Sequence, residues 1–346
     1  MKRPTAFVLF VTHILPLLLL LSAFNACSTE TKQPIATLMG TTMGTQWHIK
    51  LHPIPENKLA QLKHTLEQQL IAINNTFSTY QTDSAISRFN RFKSKEAFAV
   101  SAEFVTVINA AQSVSKASQG AFDITIAPLI NLWGFGKAFK VSIPTDQQIE
   151  TAKRTVGFQH LIVQTSPPAL YKTIPSLHID LSAIAKGYAV DQLATTLEQH
   201  GIQNYMVEIG GEIRLKGRNA YGNNWQIAIQ KPDATQSEHT QQLISLAQTA
   251  IATSGDYYNY FEANGKRYSH TINPISGKPI THNLASVTVL HRSAMMADAY
   301  ATALSVLGAE KGMALAEHLH LAVTMLIRDD KHFISKTSSH FPLENE

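Results

Sequence analysis

The chain reads as an α+β protein. Strand-like runs come in blocks, amphipathic helical stretches lie between the blocks, and no regular βα alternation links them, which argues against a doubly wound parallel sheet. The apolar fraction is 44% and the charged fraction 16%, a balance that excludes a disordered or collagen-like chain. At 346 residues there is material for one large domain or two small ones, with a sizeable core. No fixed-period repeat and no low-complexity block follows the N-terminal stretch.

The first element is a targeting segment. Lys2 and Arg3 precede an apolar run from Phe7 to Leu21, too short and too sharply bounded for a comfortable membrane span, and small residues follow. Cys27 is the only cysteine, so no internal disulfide staples the fold. Phe24-Asn25-Ala26-Cys27 resembles a bacterial lipoprotein processing site, with Phe24 where Leu is usual; the cysteine is then lipidated and becomes the new N-terminus. Loss of residues 1–26 leaves 320 residues and removes Lys2 and Arg3, lowering the formal charge from +4 to +2. A nearly neutral body excludes a nucleic-acid binder that works through bulk positive charge. Residues 27–36 are polar and aperiodic, as a tether between membrane and domain would be, and the folded domain is expected over 37–340.

Within that domain, Thr45–Leu51 alternates and reads as a strand. Asn57 to Ile73 carries Leu59, Leu62, Leu66, Leu70 and Ile73 at helical spacing. Ser101 to Ser118 reads as a helix with Phe104, Val107, Ile108 and Ala111 on one face, stopped near Gly120. Lys137 to Pro168 mixes polarities and turn residues, as an insertion or subdomain junction does. His178–Leu181 reads as a short strand, and Lys186–His200 as a helix closed by Gly201. Strands are expected at Tyr205–Ile209, Glu212–Lys216, Trp225–Gln230, Leu246–Thr253, Val287–Leu290 and Leu321–Ile327. Ser293–Leu307 is the last strong helix, closed by Gly308.

Six clusters carry residue types with chemistry. Met39-Gly40-Thr41-Thr42-Met43-Gly44-Thr45 lets backbone approach a flat ligand, or simply turns into a strand. Tyr80, in Ser78-Thr79-Tyr80, either stacks on an aromatic ring or fills the core, and spacing alone favours the core. Asp123, in Gly120-Ala121-Phe122-Asp123, either caps a turn or accepts from a heterocycle's N–H groups. In Asp180-Leu181-Ser182-Ala183-Ile184-Ala185-Lys186-Gly187-Tyr188, an acidic residue precedes a turn and a lysine at a helix start. That pattern suits a phosphate-bearing ligand or a structural Asp–Lys pair.

The fifth cluster, Tyr268-Ser269-His270-Thr271-Ile272-Asn273-Pro274, offers a histidine able to take a hydroxyl proton. In the sixth, Asp298 and Thr302 stand four residues apart on one helix face among alanines. A carboxylate and a hydroxyl in apolar surroundings make an oxygen-only half-site, which suits Mg²⁺ better than zinc.

In this order the clusters resemble the ApbE family, the bacterial FAD:protein FMN transferases, often named thiamine-biosynthesis lipoproteins. The likeness covers residues 36–335 and includes Glu208-Ile209-Gly210-Gly211-Glu212. It implies mixed sheets with flanking helices around a central FAD cleft. It places flavin contacts on Met43, Tyr80, Ala121, Phe122, Asp123, Asp180, Lys186 and Ile272, and magnesium ligands on Ala183 (backbone carbonyl), Asp298 and Thr302. The family's histidine falls on His270. Thr271 and Asn273 stand where the family often has Ile and Asp.

The implied reaction moves FMN from FAD to a threonine or serine hydroxyl of another protein and releases AMP. Implied partners are flavin-carrying subunits of membrane redox pumps, of the Na⁺-translocating NADH:quinone reductase or Rnf type, reached from the periplasmic side of the inner membrane. Ser28 after the cysteine also permits outer-membrane sorting. Two alternatives stand beside this reading: a Mg²⁺-dependent FAD pyrophosphatase with water as acceptor, and a non-catalytic periplasmic FAD-binding lipoprotein. Asp298 with Thr302 argues against the second, because flavin binding alone needs no metal half-site. Direct thiamine synthesis has no residue to support it.

Overall fold

Among the described residues, eight strands join into one antiparallel sheet whose order in space is their order in the chain. They are β1 (Ala36–Thr42), β2 (Thr45–His52), β3 (Asn204–Ile209), β4 (Glu212–Lys216), β5 (Thr249–Gly255), β6 (Leu284–His291), β7 (Ala322–Asp329) and β8 (His332–Thr337). The computed structural model describes residues 35–136, 140, 142–230, 240–255, 260–263, 265–330 and 332–342. The signal segment, Cys27 and most of the tether lie outside the described residues. Among the described residues, no helix is long and apolar enough to cross a membrane.

Among the described residues, six α-helices lie between β2 and β3: α1 (Glu56–Phe77), α2 (Ala85–Arg91), α3 (Ala102–Ala117), α4 (Ala127–Leu132), α5 (Asp146–Lys153) and α6 (Ala185–Gln199). A small sheet of Phe98–Ala99, Ala169–Lys172 and Leu161–Gln164 accompanies them. The stretch expected to be an insertion supplies α5, capped by reciprocal Thr145 and Gln148 hydrogen bonds, and the strand Leu161–Gln164. A hairpin, Trp225–Gln230 with Thr240–Leu246, joins β4 to β5. Two short ribbons, Tyr260–Ala263 with Lys266–Ser269 and Ile272–Asn273 with Lys278–Pro279, lie between β5 and β6. Helix α7 (Ala294–His318) joins β6 to β7.

The period-2 reading holds where one sheet face is buried: β3 alternates half-buried and buried along its whole length. Strand β6 is buried at seven of eight positions because both faces are covered. Val287 and Val289 pack with Ala297, Ala301 and Leu304 of α7. Leu290 packs with Trp225, Ile227 and Ile244 of the hairpin. The largest core lies where the apolar stripes of α1, α3 and α6 meet β1–β3.

Four expectations need correction. His178–Leu181 is not a strand. The Asn90 side chain pairs with the Ile179 peptide at 2.8 Å through both its oxygen and its nitrogen, and Asp180 donates its N–H to the Ile124 carbonyl at 2.7 Å. These bonds satisfy the backbone without a ladder. The run Leu246–Thr253 belongs to two strands, one ending at Leu246 and β5 starting at Thr249. The glutamines of Thr240–Leu246 hid the first. Gly308 does not close the last helix outright. It is a non-helical residue (φ 79°) inside Ala294–His318, and a Cβ there would stand 2.8 Å from the His282 ring. Tyr80 is not core: it is 78% exposed.

Candidate functional site

The N-terminus of α6 abuts the first turns of α7. Gly187 makes this possible, since a Cβ there would lie 2.2 Å from the Ala294 carbonyl oxygen. The close approach lets the Gly187 N–H donate to Asp298 Oδ2 at 3.1 Å. One residue earlier, Lys186 Nζ meets Glu212 Oε1 at 3.0 Å. Glu212 opens β4 directly after the Gly210-Gly211 turn, both glycines having positive φ. Two helices and a sheet turn thus deliver two carboxylates and one ammonium to one spot.

That spot is short of positive charge. Asp298 and Glu212 are 3% and 4% exposed. Burial pushes the Asp298 carboxyl up, against the pull of Lys186 and the Gly187 N–H. Burial and then the Asp298 charge push Glu212 up, against Lys186. Burial alone would lower the Lys186 ammonium, but Asp298 and Glu212 together outweigh it and its pKa rises. Glu212 Oε2 is buried and has no hydrogen-bond partner among the described residues. An orphaned carboxylate oxygen beside a second buried carboxylate is what a further cation would complete. Thr302 Oγ1 lies 3.3 Å from Ser254 Oγ, adding hydroxyls to the set.

The donors are therefore all oxygens, and they fit a hard cation such as Mg²⁺. Among the described residues no group of three or more His, Cys, Asp and Glu could hold a metal. A cation here would draw on hydroxyls, carbonyls and ligand oxygens as well.

These groups line a cavity of about 680 Å³. Of the residues singled out above, Ala121, Phe122, Asp123, Asp180, Ala183, Lys186, His270, Ile272, Asp298 and Thr302 all line it. Asp123 holds its own turn and a second segment: it accepts from the Thr125 N–H at 2.8 Å, the Thr125 hydroxyl at 2.6 Å and the Phe158 N–H at 2.9 Å. Burial nevertheless raises its pKa. Ile272 is buried in the cluster with Leu129, Trp133 and Phe261, which makes an apolar wall. His270 stands between the two short ribbons, edge-on to Phe135 with ring centroids 6.4 Å apart.

A wider cavity of about 1350 Å³ adjoins the first and shares Ile130, Asp180, Ser182 and His270 with it. Tyr80 lines this second space, together with Phe135 and Tyr260. Met43 lines neither. It sits half-buried in the β1–β2 turn at φ 50°, packed on the main core. No local pattern assigns Glu212 a role. Its signal was the Gly-Gly-Glu turn, but its partner Lys186 is 26 positions away and belongs to another element.

A buried, oxygen-lined charge cluster, an apolar wall and a histidine facing one cleft define a protein that binds a ligand part aromatic and part anionic. A family model described as the ApbE family matches residues 43–327. A Vibrio cholerae protein named FAD:protein FMN transferase is 46% identical over 308 residues, covering 88% of this chain and 91% of its own length. The namesake from Haemophilus influenzae is 43% identical, covering 91% of this chain and 92% of its own length. The solved structure of the flavin transferase ApbE from Vibrio cholerae superposes with a TM-score of 0.81 at 44% identity, covering 89% of this chain and 99% of that one. The apo flavinyl transferase ApbE of Pseudomonas stutzeri superposes with a TM-score of 0.81 at 37% identity, covering 89% and 96%. The chain belongs to the ApbE family.

Proposed function

We propose that this chain is an FAD:protein FMN transferase, and that it attaches FMN to a threonine or serine hydroxyl with release of AMP. The observation that carries the reading is that Lys186, paired with Glu212, and Asp298 and Thr302 line one cavity with Phe122, Ile272 and His270. Relatives that share about nine-tenths of the chain bear that name.

FAD is the substrate. Its flat ring system would lie on apolar and aromatic walls, and Tyr80 offers an exposed ring beside them. Its diphosphate would lie at the α6–α7 junction. Asp298, Thr302 and the Ala183 carbonyl would hold Mg²⁺. When bound there, the ion neutralises anionic phosphate oxygens and makes the phosphorus more electrophilic. Lys186, which lines the same cavity, adds an ammonium beside those oxygens.

In the reaction, the acceptor hydroxyl oxygen bonds to the phosphorus of the FMN half. The anhydride bond to the AMP phosphate breaks, and AMP leaves with that electron pair. His270 accepts the hydroxyl proton. In-line placement of the two substrates supplies much of the remaining acceleration.

The acceptors are flavin-carrying subunits of membrane redox pumps. The protein faces the periplasm, held to the inner membrane by lipid on Cys27; the apolar run and the processing pattern before that cysteine support this.

The test is incubation with FAD, Mg²⁺ and such a subunit, followed by mass spectrometry of the subunit. A covalent FMN on a hydroxyl residue is expected. FAD split to FMN and AMP with an unmodified acceptor would favour the pyrophosphatase instead.

A further inference from the structure

Asp191 lines neither cavity, yet its carboxylate accepts four hydrogen bonds beside the site. It sits on α6, five residues beyond Lys186, and is 9% exposed. Oδ2 accepts from the Ser293 hydroxyl at 2.6 Å and the Met295 N–H at 3.1 Å. Oδ1 accepts from the Ala294 N–H at 3.0 Å and from Arg214 Nη1 at 2.9 Å. Two of the orphan N–H groups that open α7 are therefore satisfied from another helix. Ser293 Oγ takes a third, that of Met296, at 3.3 Å. A carboxylate at this end also meets the positive pole of the helix.

The bonds have a geometric consequence. Asp298 lies just over one turn into α7, Lys186 lies on α6, and Arg214 stands two residues past Glu212 on β4. On a strand, residues two apart share a face. The three elements that carry the three charged groups of the site thus converge on one carboxylate. Its charge is matched by Arg214, and all four contacts are internal, so nothing of it is left to offer a ligand.

We propose that Asp191 is a positioning residue for the transfer reaction: it fixes the start of α7 against α6 and β4, and so sets Asp298 at its distance from Lys186 and Glu212. The inference rests on the reading of Asp298 as part of a cation seat. Groups behind a metal ligand change metal affinity by about 10–100-fold when removed, and small misplacements at a reacting centre are costly.

The experiment titrates Mn²⁺ alone into the FAD-free full-length protein and follows free Mn²⁺ by electron paramagnetic resonance. FAD binding is measured separately by flavin fluorescence. Asp191→Asn keeps the shape but can no longer accept from all four donors; it is expected to weaken Mn²⁺ at least about tenfold. FAD affinity should stay within about threefold, since no Asp191 atom reaches either cavity. Ser293→Ala removes one of the four bonds and should give a smaller loss in the same direction. Ser338→Ala serves as a control for general destabilisation. It breaks a buried network, Ser338 Oγ to the Leu321 carbonyl and from the Val323 N–H, that lines neither cavity; Mn²⁺ affinity should be unchanged.

Native Mn²⁺ affinity in folded Asp191→Asn overturns the proposal. If Asp191→Asn does not fold, native affinity in Ser293→Ala overturns it. Equal losses in Ser338→Ala also overturn it, because stability alone would then explain them. A wild-type protein that binds no Mn²⁺ removes the cation seat itself, a separate failure that takes this inference with it.

Discussion

Gly187 and Asp298 are 111 residues apart in the chain and 3.1 Å apart in space, joined by a backbone N–H and a carboxylate oxygen. The contact exists because one residue has no side chain. A Cβ at Gly187 would meet the Ala294 carbonyl oxygen at 2.2 Å and the Met295 Cα at 2.7 Å. Those obstacles are backbone atoms at the start of α7 and cannot rotate away. Gly187→Ala should therefore separate the helices, destabilise the protein by about 1–3 kcal/mol and reduce transfer sharply. Thermal melting and transfer rate, measured on one preparation, check this; native values for both would show that the helices are not pinned here.

Asn90 stands in for a missing strand. Its amide pairs with both polar groups of the Ile179 peptide, next to Asp180 in the cavity wall. Asn90→Ala leaves an N–H and a carbonyl unpaired and should cost about 1–3 kcal/mol, with weaker FAD binding as Asp180 loses its placement. Urea unfolding and fluorescence titration give the two numbers. Asn90→Asp keeps only the acceptor and should fall between.

Lys172 supplies a pH dependence distant from the charge cluster. It is 1% exposed and donates to the Phe89 and Phe92 carbonyls at 2.7 and 3.0 Å, at the C-terminal end of α2. Burial, and then the charge of Lys93, lower its pKa from 10.5 to about 8. Because the folded value is depressed, the native state prefers the neutral amine. Its contribution is complete above 10.5 and is lost as the pH falls through about 8. Stability of the wild type minus that of Lys172→Met should rise by about 1–3 kcal/mol between pH 7 and pH 10.5. Denaturant unfolding across that range reads the difference; a flat line contradicts it.

Much of this was legible beforehand. The helix read from Ser101 to Ser118 is α3, and Ser101 caps it by accepting from the Phe104 N–H, a local arrangement four residues long. Asp298 and Thr302 do line one cavity, since spacing of four on a helix is enough to align them. What failed to show was non-local. The Lys186–Glu212 pair needs the sheet to bring a glycine turn beside a helix start. The His178–Leu181 segment looked like a strand because apolar alternation cannot reveal that a side-chain amide from α2 would supply its hydrogen bonds. Spacing alone favours the core for Tyr80 over stacking, because an aromatic residue carries no local sign of exposure when it flanks an open cavity.

Cys27 follows an apolar run and a lipoprotein-like processing pattern. Cys27→Ala should move the protein from the membrane fraction to the soluble periplasmic fraction while leaving transfer in detergent unchanged. Unaltered membrane fractionation would remove the lipid anchor.

The most direct measurement of the central claim compares the wild type with Asp298→Ala. Each is given FAD, Mg²⁺ and an acceptor subunit. The intact mass of the subunit is followed over time, and FAD binding is recorded in parallel. The charge cluster at the α6–α7 junction predicts one added FMN with the wild type. With the variant it predicts transfer lowered by about 100-fold or more while FAD still binds. Undiminished transfer by Asp298→Ala, above all after treatment with a chelator, would contradict it.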